Sequence, residues 1–93
     1  VVFDATGSIK ASFNVASVAR NSVGDFTITF TNAMPNADYC FTATARPTSS
    51  DTIVVGAKRG GTLTAGAIQI DCWVNTQTPS LEDPFRTSLT IFA

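Results

Sequence analysis

The side chains through which this chain could do chemistry are a few acids, one tryptophan and two cysteines; histidine is absent from its 93 residues. Without histidine, neither a Ser-His-Asp nor a Cys-His arrangement can form within the chain, and no His-ligated metal site can be built. Two carboxylates alone could still run glycoside hydrolysis, one as acid and one as base or nucleophile. Asp71, Glu82 and Asp83 are the acids to consider. Their surroundings favour a plainer role. Glu82 and Asp83 lie in a proline-flanked loop, TQTPSLEDP at 76–84, and Asp71 sits on the polar side of a strand pattern. The expectation is a protein that is not an enzyme, with no catalytic residue, no cofactor and no metal.

Trp73 is the most informative single residue. It shares the polar side of its segment with Gln69, Asp71 and Asn75. Amphipathic aromatics are enriched where protein chains meet, and they also stack on ligands. Three readings stay open: cover by a second sheet or a subunit, contact with a ligand, or plain exposure. If a ligand binds, Trp73 is its platform, with Asp71 and Asn75 as hydrogen-bonding neighbours. Lys58 and Arg59, in the turn KRGGT at 58–62, read as a solvated turn or as contacts to an anionic surface glycan. Gln77, in the loop at 76–83, joins them as a candidate contact. Cys40 and Cys72 have no CxxC spacing and read as small apolar residues in or near the core; a disulfide would need maturation outside the cell.

Composition narrows the class. The length suits one domain, 1–93, that buries roughly two-thirds of its unfolded surface and is marginal alone. Oligomerisation is one way such a small fold gains burial. Charged residues make up 14%, against about 25% in typical soluble domains, so the surface must be dressed with Thr, Ser, Asn and Ala. The net charge is −1 with no basic run, which argues against a nucleic-acid partner. No apolar stretch approaches the roughly 20 residues of a membrane span, so no membrane insertion is expected. The chain opens at Val1 in an apolar run, as a fragment or processed piece would.

The elements that position these residues all read as strands. In GDFTITF, Phe26, Ile28 and Phe30 fall on one face and three threonines on the other. Pro35 in NAMPNAD ends that strand, and Tyr39, Phe41 and Ala43 alternate in the next, so the two read as an antiparallel pair. Ile9, Ala11, Phe13 and Val15 alternate as one continuous strand. Shorter strands are expected at Val1–Phe3, Ile53–Ala57, 66–75 and 86–92, separated by Gly- and Pro-bearing turns. No segment keeps a helical apolar period. The fold class is all-β, a small antiparallel β-sandwich, with Phe13, Phe26, Ile28, Phe30, Tyr39, Phe41, Ile70, Val74 and Ile91 in its core.

Four segments carry a family resemblance: VVFDATG at 1–7, IKASFNVAS at 9–17, NSVGDFTITFTNAMPNADY at 21–39 and SLTIFA at 88–93. Together they resemble a domain at the C-terminal ends of tail fibre and tail spike proteins of tailed bacteriophages. Residues 46–80 match only in style, and Cys40 follows the tyrosine where the pattern has a small apolar residue. The resemblance implies the distal piece of a longer fibre, homotrimeric, made in the host cytoplasm with both thiols free, and located in the virion tail fibre. It implies a role in receptor binding and attachment to the host cell surface, with a glycan among the receptors, and it carries over no fixed contact residues. Contacts would then lie in the loops at 46–51, 58–62 and 76–83. The alternative is a carbohydrate-binding module of a secreted glycan-degrading enzyme, built on Trp73, Asp71 and Asn75.

Overall fold

The computed structural model describes residues 1–47, 52–75 and 79–92. The strands are β1 (Val2–Asp4), β2 (Ile9–Ala11), β3 (Val15–Ser22), β4 (Asp25–Phe30), β5 (Cys40–Arg46), β6 (Ile53–Ala57), β7 (Ala67–Val74) and β8 (Arg86–Phe92). They form two antiparallel four-stranded sheets, one in the order β2-β1-β8-β5 and the other β3-β4-β7-β6. Among the described residues there is no helix, and so none long and apolar enough to cross a membrane.

The expected alternation places the core. Phe26, Ile28 and Phe30 of β4 and Ile68, Ile70, Cys72 and Val74 of β7 are buried on one face of the second sheet. Phe3 and Leu89 of the first sheet meet them, and the Phe3 and Phe26 rings stand 5.0 Å apart. The two sheets therefore share one apolar layer, a β-sandwich-like arrangement. Tyr39, Phe41 and Ile91 are only half-buried at its margin.

Two expectations from the sequence fail here. The first is the continuous strand from Ile9 to Val15. The chain leaves the first sheet after Ala11 and joins the second at Val15, and Asn14 turns it with φ 57°. Asn is one of the few residues that tolerates this conformation. Period-two alternation gives a facing only while the backbone stays extended, so Phe13 is not a core residue but 93% exposed.

The second is the β4–β5 pair. β4 pairs with β3 and β7, whereas β5 pairs with β8 in the opposite sheet. The connection at 31–39 is far longer than the two to five residues of a typical hairpin loop. It is pinned at two points to the connection between β6 and β7. The Met34 amide donates to the Ala65 carbonyl at 2.7 Å, and the Tyr39 hydroxyl donates to the Thr64 carbonyl at 2.8 Å. The Tyr39 ring also meets Phe30 edge-on at 5.8 Å. An arch that crosses from sheet to sheet satisfies the same two amphipathic faces as a hairpin would.

Candidate functional site

Because alternate side chains of a strand face opposite ways, burying Ile68, Ile70, Cys72 and Val74 forces Gln69, Asp71 and Trp73 onto the outer face of the second sheet. Register then arranges that face in rows. Val54 of β6 lies opposite Trp73, and Leu81 bridges to Trp73 from the other side. These three are 52%, 39% and 37% exposed, so they form one continuous apolar row open to solvent. Leu81 reaches this position because the loop at 80–82 runs beside β7 beyond the end of β4. There the Val74 amide donates to the Ser80 carbonyl at 2.8 Å and the Glu82 amide to the Cys72 carbonyl at 3.0 Å.

The next row is polar. Asp71 lies between Gly56 on β6 and Asp25 on β4. The Trp73 indole N–H donates to Asp71 Oδ2 at 3.4 Å, while Asp71 Oδ1 is shut from solvent with no hydrogen-bond partner. A Cβ placed on Gly56 would meet nothing within 4 Å, so the sheet surface beside Asp71 and Trp73 is open.

Asp25 faces outward yet is only 4% exposed, because its neighbours close over it. Lys58 Nζ pairs with Oδ2, while Gln69 Nε2 and Asn21 Nδ2 donate to Oδ1 at 2.9 and 3.1 Å. Burial pushes the Asp25 carboxyl up, but these three donors outweigh it and hold it below the usual carboxylate range. The hydrogen bond to Asp25 in turn pushes the Lys58 ammonium up, with the charges of Asp25 and Asp71 adding to it.

The structure thus brings together Trp73, Asp71 and Lys58 of the residues singled out from sequence. Lys58 is half-buried and tied to Asp25 rather than held out in a solvated turn. Arg59 is exposed in the β6–β7 turn, away from this network. Asn75 is exposed just past β7, its amide donating to the Thr52 carbonyl at 2.7 Å. Gln77 lies outside the described residues, as do parts of the loops at 46–51 and 76–83. Of the other acids considered, Asp83 is engaged structurally: it accepts from Arg20 Nε at 2.9 Å and from the Gly24 amide at 2.8 Å. Cys40 and Cys72 are both free; Cys40 is exposed beside the threonines of β5 rather than in the core, and Cys72 is buried.

Sequence reading missed Val54, Leu81, Gly56 and Asp25. In the run IVVGA nothing tells which valine faces out. Leu81 does carry a signal, being an isolated large apolar residue in an otherwise polar loop. What the assembled face can do is bind: a flat apolar row beside hydrogen-bonding groups and a masked carboxylate suits contact with another surface or a ligand. Compared with family models, curated proteins and solved structures, the chain matches none.

Proposed function

We propose that this chain is a non-enzymatic binding and structural domain, the distal part of a bacteriophage tail fibre that helps attach the virion to the host cell surface as a homotrimer. One observation carries the binding part of this reading. Val54, Trp73 and Leu81 form an exposed apolar row beside Asp71, on a sheet whose other face is core. Scattered exposed apolar residues need no explanation, but a contiguous row centred on a tryptophan marks a contact surface. The family resemblance of the segments at 1–7, 9–17, 21–39 and 88–93 supplies the biological setting and the number three. Linked copies act together, so a weak site on each subunit suffices for firm attachment.

The carbohydrate-binding module of a secreted enzyme is the second reading. It is favoured by the open sheet surface at Gly56, opposite Asp71 and one row from Trp73, which leaves an aromatic ring and a carboxylate accessible side by side. Light scattering separates the two: three chains per particle favour the fibre, a single chain the appended module. Attachment to host cells tests the site itself. Trp73→Ala should weaken attachment while leaving the melting temperature nearly unchanged. If attachment is unaffected, the receptor contact lies elsewhere.

A further inference from the structure

The outer face of the first sheet carries an unbalanced charge. Lys10, Arg20 and Lys58 each pair with an aspartate. Arg46 and Arg86 have no carboxylate partner among the described residues, yet they stand directly opposite each other across β5 and β8. Like charges placed this way repel and weaken a sheet. The acid nearest by register is Asp4, on the other side of Arg86. It is engaged in its own turn, accepting from the Thr6 and Ser8 amides at 2.9 and 3.0 Å and pairing with Lys10 at 3.4 Å.

Phe85 holds the two arginines in place. Its ring lies 4.4 Å from the Arg86 guanidinium and 5.5 Å from that of Arg46, both within cation–π range. Its amide donates to the Arg46 carbonyl at 2.8 Å, and its carbonyl accepts from Arg86 Nη1 at 2.9 Å. That last bond is the one hydrogen bond either guanidinium makes among the described residues, so most of both forks is left to bind something else. Planar guanidinium forks match the oxygens of a carboxylate or a phosphate. Because alternate residues of a strand share a face, the same lane continues as Thr44 opposite Ser88 and Thr42 opposite Thr90, all four exposed. Each hydroxyl can both donate and accept, which suits a ligand rich in hydroxyls.

We infer that this lane binds an acidic saccharide, its oxyanion held between Arg46 and Arg86 and its hydroxyls against Thr44 and Ser88. The inference rests on the binding-domain reading above for its setting and names a ligand class for it. It uses the sheet opposite the one that carries Trp73, so the two sites stand or fall separately.

Titration of the full chain followed by NMR of the arginine Nε–H groups decides it. The probes are glucuronic acid, glucose 6-phosphate, glucose and inorganic phosphate. The signals of Arg46 and Arg86 should shift with one or both acidic sugars, the stronger of the two naming carboxylate or phosphate, and stay nearly still with glucose. Arg46→Gln and Arg86→Gln should each weaken that binding at least about tenfold with the circular dichroism spectrum unchanged. Still signals at both arginines with either acidic sugar overturn the inference. An equal response to inorganic phosphate overturns the saccharide assignment, and shifts confined to the Trp73 face put the sugar on the other sheet. Loss of host attachment in Trp73→Ala bears on the receptor reading alone.

Discussion

Lys58, one residue past the end of β6, reaches over β7 to pair with Asp25 at the start of β4. One ion pair thereby ties three strands of a sheet on its outer face. The folded-state pKa of Asp25 is depressed, so its contribution to stability is complete above the unfolded value near 4 and is lost as pH falls through the folded value. Lys58 is raised, so its contribution is complete below the unfolded value near 10.4 and is lost as pH rises through the folded value. Asp25→Ala should cost about 1–3 kcal/mol at neutral pH. It should also weaken the decline at both ends of the profile. Lys58→Met should act differently: it leaves the buried Asp25 carboxylate without its counter-charge, so the variant's deficit shrinks as acid protonates that carboxylate. Melting temperature followed from acid to alkaline pH checks both, and an unaltered profile in Asp25→Ala would count against the pair.

Gly24 tests how the loop at 79–84 is held. Its φ is 66°, and a Cβ there would lie 2.8 Å from the Cys72 carbonyl oxygen and 2.9 Å from the Glu82 nitrogen. Both are backbone atoms that hold the sheet together and cannot step aside cheaply. Gly24→Ala should therefore destabilise the fold by at least about 2 kcal/mol in denaturant melts. It should also loosen Leu81 beside Trp73, shifting the fluorescence of the chain's single tryptophan. A loss below about 0.5 kcal/mol would mean that the loop does not close on Gly24 in solution.

Phe30 is a core residue with neighbours from both sheets: Tyr39 meets its ring edge-on, and Leu89 and Ile91 belong to the same apolar cluster. Phe30→Ala should cost about 3–5 kcal/mol in chemical denaturation. A loss under about 1 kcal/mol would show that this face is not core.

The two thiols should separate cleanly. Cys40 is exposed on β5, whereas burial pushes the Cys72 thiol up to about 12. Since the thiolate is the reactive form, a thiol reagent should modify one cysteine per native chain promptly and the second only as the protein unfolds. Unreduced, denatured protein should give two thiols. Prompt reaction of both in the native state would contradict the buried placement of Cys72.

The sequence by itself determined the elements and most of their facings. Ile68, Ile70, Cys72 and Val74 face the core and Trp73 faces out because side chains alternate along any extended strand, and the choice of inner face follows from polarity alone. Tertiary structure decided what lies beside what. β4 and β5 have the pattern of a hairpin, yet they join different sheets, since an arch and a hairpin bury the same faces and only the competing partners β3, β7 and β8 select between them. The same holds for the binding face. Trp73 was legible, but Val54 and Leu81 stand beside it only through register across β6, β7 and the loop, and register is a relation between segments that no one segment encodes. Phe13 shows the limit most sharply: its alternation with Ala11 and Val15 promised core, and a single residue at positive φ, held by bonds to Thr31 and Asn32, turned it to the surface.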